Sequence, residues 1–369
     1  MIYLDYNATS PLLPSVKAAM DALDGMPLNP ASMHGAGRHA KKLMEDARTR
    51  IATALSAFPN EVLFLGSSSE ANNMVLRAFA PTHPLLVSAV EHASVAKTAG
   101  LLGGVTIPVD GNGVVKLDVL EQQLAALGKP ALVSVMLANN ESGVIQPIAE
   151  IARITHAHGG LVHCDAVQAL GKIPLDWGLL GVDMLSICAH KAGGPVGAGA
   201  LLIRNDLPIK PFITGGKQEL GRRAGTENIP AIVGFGQLIY DVAHYPDAKK
   251  WLEWREWLEK ELLAAAPDAV VCGSGATRLP NTLQISMPGV KSETQLMNFD
   301  LAGFAVSAGS ACSSGRVAAS ATLLAMGLPL EQAEAAIRIS WGWATEHRDI
   351  EAFAAAWKAM YLRITRKAA

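Results

Sequence analysis

Five residue types stand in settings where they could do chemistry together. Lys191 follows an apolar run, in Cys188-Ala189-His190-Lys191, and opens a glycine-dense stretch from Ala192 to Gly199. Glycines there let the backbone approach a bulky ligand closely. Asp165 ends another apolar run, which begins at Leu161. A lysine that can form a Schiff base and a carboxylate that can keep a pyridine nitrogen protonated are what pyridoxal 5'-phosphate requires. The protonated ring then serves as electron sink for a carbanion at a substrate α-carbon. A lone lysine after a strand is ordinarily a solvated loop residue, and a lone aspartate ordinarily a cap. It is their joint context that points to Lys191 as the Schiff-base lysine.

Three further features belong beside them. Gly66-Ser67-Ser68-Ser69-Glu70 lies between a strand-like and a helix-like run, offering backbone N–H groups and hydroxyls to a phosphate. By itself it is equally a helix-capping sequence with Glu in the first turn. Cys312 sits in Gly309-Ser310-Ala311-Cys312-Ser313-Ser314-Gly315, among small polar residues where an inert core thiol is not expected. A loop thiol acts as a nucleophile once its thiolate is stabilised. Arg338, in Ile337-Arg338-Ile339-Ser340, is ordinarily a surface residue; facing inward from an apolar strand, it suits bidentate capture of a carboxylate.

The elements that must position these residues read as α/β. Strand patterns cover Glu61–Leu65, Leu85–Ala89, Val105–Ile107, Leu132–Leu137, Leu161–Asp165, Met184–Cys188 and Ala200–Ile203. Helical patterns at Arg38–Ala57, Ser69–Ala80, Leu117–Leu127 and Ile148–His158 lie among them. Such alternation predicts a mostly parallel sheet covered on both faces. Ligands of such sheets bind at the carboxyl ends of the strands, where Gly66–Glu70, Glu91-His92, Asn139-Asn140, Asp165–Gln168 and Cys188–Lys191 all fall. Beyond about Tyr245 the pattern changes to a charged helix, Lys249–Ala265, strands at Ala269–Cys272, Thr282–Ser286 and Ala336–Ser340, and helices near Glu293–Ala302, Ala318–Met326 and Asp349–Arg366. The expected division is a large domain over 15–246 and a smaller α+β domain over 247–369, with residues 1–14 packing on the latter.

Bulk composition removes other classes. The chain has 369 residues, enough for two or three units around a large core. Hydrophobic residues make up 50% and charged residues 17%, yet the apolar runs stop at strand length, short of the roughly 18 residues of a spanning helix. A formal net charge of −2 without long basic runs gives no footprint for nucleic acid or a membrane surface. The start, Met1-Ile2-Tyr3-Leu4-Asp5-Tyr6, lacks signal-peptide layout and reads as cytoplasmic. Four scattered cysteines, Cys164, Cys188, Cys272 and Cys312, favour neither disulfides nor zinc, and no metal is expected; His83, His92, His156, His158 and His163 are too dispersed for one.

Together the motifs resemble the cysteine desulfurases, a branch of the class V aminotransferases. The resemblance runs from Tyr3-Leu4-Asp5-Tyr6-Asn7-Ala8-Thr9 through Asn29-Pro30-Ala31-Ser32-Met33-His34, Glu91-His92-Ala93-Ser94-Val95 and Ala138-Asn139-Asn140-Glu141-Ser142-Gly143. It continues in His163-Cys164-Asp165-Ala166-Val167-Gln168-Ala169-Leu170-Gly171-Lys172, His190-Lys191, Gly215-Gly216-Lys217-Gln218-Glu219, Arg223-Ala224-Gly225-Thr226-Glu227-Asn228 and Ser310-Ala311-Cys312-Ser313-Ser314. It implies a fold type I, aspartate-aminotransferase-like architecture and pyridoxal 5'-phosphate as cofactor. By that resemblance Lys191 forms the Schiff base and shuttles protons, His92 stacks on the ring, Asp165 partners the ring nitrogen and Gln168 the phenolate oxygen. Ser68, Ser69 and His190 would bind the phosphate, with Cys188 beside them. Thr226 would reach the phosphate of the other subunit, which implies a homodimer. Asn140 and Arg338 would contact the carboxylate of L-cysteine, and Cys312 would take its sulfur as a persulfide, leaving L-alanine. A sulfur-acceptor protein, serving iron–sulfur cluster assembly or thio-modification, would follow.

The sequence departs from the family pattern in places. Ser67-Ser68-Ser69 replaces Gly-Ala-Thr, and Cys188, a weaker donor, stands where serine is usual. Ala192-Gly193 replaces a bulky aromatic after the lysine, and the C-terminus is shorter than in members that dock an iron–sulfur scaffold. A selenocysteine lyase or another class V enzyme shares the scaffold, and a non-catalytic sulfur-relay protein is the alternative from a different class. A plain aminotransferase needs no loop thiol, and a scaffold needs neither Lys191 nor Asp165.

Overall fold

The computed structural model describes residues 1–242, 248–309 and 319–368, with side chains described to residue 363. The expected domain boundary at 246/247, Cys312 with its neighbours 310–318, and the first residue of the Ala318–Met326 helix lie outside the described residues.

After a short N-terminal strand, β1 (Ile2–Tyr3), the chain builds one large sheet. Its strands are β2 (Val62–Leu65), β3 (Leu85–Ser88), β4 (Val105–Ile107), β5 (Leu132–Met136), β6 (Leu161–Asp165), β7 (Met184–Cys188) and β8 (Gly199–Ile203). The spatial order is β2-β8-β7-β6-β5-β3-β4. Only β8 runs against its neighbours, β2 and β7; the other pairings are parallel. The apolar runs are continuous because both faces are covered. Val62 and Phe64, Val133 and Val135, and Leu185 and Ile187 enter one core cluster. The alternate residues Leu63 and Leu65, Leu85 and Val87, and Leu201 and Ile203 enter the other, as the two-residue period of a strand requires.

The rest of the chain forms a three-stranded antiparallel sheet in the order β12-β10-β9, from β9 (Val270–Val271), β10 (Thr282–Ser286) and β12 (Ala336–Ser340). Helices Ala248–Ala265 and His347–Ala368 supply Trp254, Leu258, Phe353 and Trp357 to its core. Strand β11 (Phe304–Ala305) pairs in parallel with β1, and Leu4 is fully buried in that core. The N-terminal segment then crosses to the large sheet: Ser10 N donates to His190 O at 2.8 Å and Leu13 N to Gly193 O at 2.9 Å. Residues 1–13 are thus a strap across both units, passing over Lys191.

The α/β expectation is met, and most element bounds fall within a few residues of the sequence reading. Four α-helices among the described residues of the large unit escape it: Pro14–Asp21, Ala93–Leu101, Trp177–Leu180 and Ile229–Val242. The last carries two glycines, which lower helix propensity. They are there for close packing: a Cβ at Gly234 would lie 2.8 Å from Met20 Sδ, and one at Gly236 2.8 Å from Ala47 Cβ. The helix read from Arg38 begins instead at Gly35, where the His34 ring caps it by accepting from Gly37 N.

Candidate active site

Most of the predicted residues lie at or just after the carboxyl ends of strands in the large sheet. Asp165, the last residue of β6, is buried. Its Oδ2 accepts from Asn72 Nδ2 at 2.7 Å and its Oδ1 from Val167 N at 3.1 Å. Burial raises its pKa; the Asn72 and Val167 hydrogen bonds and the charges of His92 and Lys191 oppose this. A buried carboxylate with two neutral donors is a ready partner for a cation. His92 caps helix Ala93–Leu101, accepting from Ser94 N at 3.2 Å. The residue is exposed, yet the protein around its ring desolvates it enough to lower its pKa, against the pull of Asp165 and in line with the repulsion of Lys191.

Lys191 lies in the turn after β7. Its Nζ donates to Asn7 O at 2.8 Å and Ala8 O at 2.6 Å. Burial lowers its pKa, which raises the fraction of neutral, nucleophilic amine at a given pH. Gln168 Nε2 donates to the same Asn7 O, at 3.0 Å. The Gln168 amide has a defined orientation because Lys172, four residues on, donates to Gln168 Oε1 at 2.5 Å and to Asn7 Oδ1 at 2.7 Å. The donor end of Gln168 therefore faces Lys191.

The residues expected at the phosphate are equally ordered. Ser67 is the N-cap of helix Ser68–Phe79, and its Oγ accepts from Glu70 N at 3.1 Å. Glu70 in turn accepts from Gly66 N at 2.7 Å and from Arg223 Nε at 2.9 Å. Ser68 and Ser69 thus sit in the first turn, where backbone N–H groups lack intrahelical acceptors and the helix dipole favours an anion. Strand β8 passes so close that a Cβ at Gly199 would stand 2.7 Å from the Ser67 carbonyl carbon. The ring of His190 lies 3.2 Å from Thr9 Oγ1, and burial together with Lys191 pushes its pKa down to about 4, leaving a neutral imidazole. Cys188 is buried beside Ser68 and Lys191, and burial pushes its thiol up to about 11. It is therefore a neutral, poorly nucleophilic thiol at ordinary pH. Thr226 is exposed, ahead of helix Ile229–Val242.

Arg338 comes from β12 and is buried. Its Nη2 donates to Asp5 Oδ1 at 2.6 Å and its Nη1 to the Asn140 carbonyl at 2.8 Å; its Nε is buried without a partner. Asn140 follows β5, and its carbonyl also accepts from Asn7 Nδ2 at 3.2 Å. Residues given no role from sequence thus prove central: Asp5, Asn7, Asn72 and Lys172. The i, i+4 spacing of Gln168 and Lys172 was the one available signal among them. No cluster of three or more His, Cys, Asp or Glu able to hold a metal occurs among the described residues.

The sequence matches the family Aminotransferase class-V over residues 2–353. This chain belongs to the class V aminotransferases. Within them it is similar to a cysteine desulfurase of Trichormus azollae, 40% identical over 352 residues that cover 92% of this chain and 88% of that one. It is 39% identical to a cysteine desulfurase IscS of Dictyoglomus turgidum over 362 residues, 95% of this chain and 91% of the other. Among solved structures, a NifS-like protein from Rickettsia africae superposes with a TM-score of 0.91 at 38% identity, covering 98% of this chain and 99% of that one. The cysteine desulfurases are therefore its branch, and as a member it is a pyridoxal-phosphate enzyme. The side chains present suit that coenzyme. Asp165 offers a buried carboxylate to a ring N–H⁺, Lys191 an amine to the aldehyde, and the Ser68 helix end its N–H groups to a phosphate.

Proposed function

We propose that this enzyme is a cysteine desulfurase that transfers sulfur from L-cysteine to Cys312. The cysteine C–S bond breaks, an S–S bond forms, and the products are L-alanine and a persulfide on Cys312. The reading is carried by one arrangement: the Lys191 amine and the Arg338 guanidinium both rest on the same short strap, at Asn7/Ala8 and at Asp5. That spacing suits a small α-amino acid with its carboxylate at Arg338 and its α-carbon near Lys191.

Pyridoxal phosphate, when bound, supplies the electron sink for the α-carbon. Asp165 would hold the proton on the ring nitrogen, His92 would lie against the ring, and Gln168 Nε2 would donate to the phenolate oxygen. The N–H groups and hydroxyls of Ser68 and Ser69, with His190, would hold the phosphate, and Cys188 would line its floor. Lys191 would anchor the coenzyme, and its Nζ would take and return the α-proton. Arg338 would exchange part of its hold on Asp5 for the substrate carboxylate, beside Asn140.

A homodimer is part of the reading, with Thr226 donating to the phosphate of the other copy. Exposed Leu220, Phe212 and Ile213, at 76%, 47% and 39%, lie in the same part of the chain and suit a covered face. We place the enzyme in the cytoplasm, where the Cys312 thiol would stay reduced, handing its sulfur to an acceptor protein for iron–sulfur assembly or thio-modification. No described helix is long and apolar enough to cross a membrane.

The test is mass spectrometry of Cys312 after one turnover with L-cysteine, with alanine measured alongside. A 32-Da gain on Cys312 is expected, and Cys312→Ala should retain the coenzyme absorbance while losing sulfide release. Unchanged sulfide release in Cys312→Ala would overturn the reading.

A further inference from the structure

One buried carboxylate, that of Glu141, receives contacts from both sides of the stretch that contains Cys312. The described chain stops at Gly309 and resumes at Ala319. On the later side, Ser320 Oγ donates to Glu141 Oε2 at 2.5 Å and Thr322 Oγ1 to Oε1 at 3.3 Å. On the earlier side, a Cβ at Gly309 would stand 2.9 Å from the same Oε2, so the backbone there lies against the carboxylate and only glycine fits without a shift. Gln284 Nε2, from β10, donates to Oε2 at 3.3 Å.

Glu141 is itself held rigidly. Asn139 Oδ1 accepts from Glu141 N and from Ser142 N, each at 2.9 Å, closing an Asx turn. The residue between, Asn140, is the one whose carbonyl holds Arg338. Arg338 in turn exchanges backbone hydrogen bonds with Ser307, at 2.6 and 3.1 Å, just before Gly309. Both flanks of the Cys312 stretch and both residues proposed for the substrate carboxylate therefore hang on a single turn. An ionised carboxylate only accepts hydrogen bonds. Three neutral donors converging on one buried carboxylate form a directional anchor stronger than ordinary neutral contacts.

We propose that Glu141 is a positioning residue for sulfur transfer. It sets where Gly309 and Ser320 stand relative to Asn140 and Arg338, and so the register between the nucleophile and the bound amino acid. The inference rests on the reading of Cys312 as the sulfur acceptor. The coenzyme-holding side chains Asp165, Lys191 and Gln168 make their hydrogen bonds elsewhere, so the role separates experimentally from coenzyme binding.

The experiment mixes parent, Glu141→Ala and Glu141→Gln holoenzymes with L-cysteine in single turnovers. It follows the coenzyme absorbance response and the persulfide on Cys312 separately. In Glu141→Ala the absorbance response should stay within about twofold of the parent, while persulfide formation slows about 10- to 100-fold, the usual effect of small misplacement of a reacting group. Glu141→Gln, whose amide oxygen still accepts from Ser320, should recover most of that loss. Persulfide formation at the parent rate in Glu141→Ala, or an absorbance response that falls in step with it, would overturn the proposal. Should Glu141→Ala fail to fold, the pair Ser320→Ala/Thr322→Val carries the same expectation, and parent-rate transfer in that variant refutes it. A parent enzyme that never gains sulfur on Cys312 would instead bring down the underlying reading, a result distinct from any variant effect.

Discussion

At the coenzyme end of the site, His92 follows β3, Asp165 closes β6 and Lys191 follows β7, all at the carboxyl ends of parallel strands in one sheet. At the carboxylate end, Arg338 meets Asp5 across 333 residues of chain and the Asn140 carbonyl across 198. The first end is positioned by strand termini, whose direction is settled once the sheet forms. The second exists only when the N-terminal strap and the small unit dock on the large one. Disturbing the coenzyme end should therefore appear in absorbance and chemistry, and disturbing the carboxylate end in the response to cysteine.

The largest expected effect is that of Lys191→Ala. Loss of the proposed anchor and proton carrier should remove the Schiff-base absorbance and lower alanine formation by about 10⁴-fold; a tenth of the parent rate remaining would place the chemistry elsewhere. Asp165→Asn keeps the shape and removes the charge. A fall of about 10²- to 10³-fold in kcat is expected, with coenzyme still bound. Arg338→Lys probes the other end: kcat/KM for cysteine should fall about 10- to 100-fold, mainly through KM, because a lysine cannot form the bidentate pair. The coenzyme spectrum should not change, and a changed spectrum would show that the two ends are not separable.

The smallest effect concerns stability at the coenzyme end. The Glu91 carboxyl bridges β3 and β5, accepting from Ser88 Oγ at 2.5 Å and Met136 N at 2.8 Å. Burial pushes it from 4.5 up to about 8. With the folded value above the unfolded one, its contribution is full below about 4.5 and is lost as pH rises through about 8. Glu91→Gln keeps the accepting oxygen and cannot ionise. Its Tm relative to the parent should therefore climb between about pH 5 and pH 8, as read by thermal melts across that range; a constant difference would mean the carboxyl is not shifted.

Much of the coenzyme end was legible in sequence because its signals are local. An apolar run ending in Asp165, a glycine-dense stretch after Lys191 and a serine-rich helix start are each contained in a few residues. The helix read from Ser69 begins instead at Ser68 with Ser67 as its cap, a shift of one position within a run of three serines that offers no internal contrast. The helix Ile229–Val242 was missed because its glycines serve packing against Met20 and Ala47, which only the folded chain brings near. Asp5 gave no sign of its partner, since an ion pair to β12 leaves no periodic trace, and Lys172 gave only its spacing from Gln168.

The sequence alone determined the α/β class and the strand-end placement of the lysine and aspartate, because strand periodicity and turn chemistry are properties of neighbouring residues; the family came from the resemblance of its motifs. Only the tertiary structure decided that Asn7 O is shared by Lys191 and Gln168, that Arg338 rests on Asp5, and that Glu141 gathers Gly309, Ser320 and Thr322. Those contacts join segments far apart in the chain, and hydrogen bonds over about 3 Å are specified by how the units dock and by which rotamers that docking leaves open.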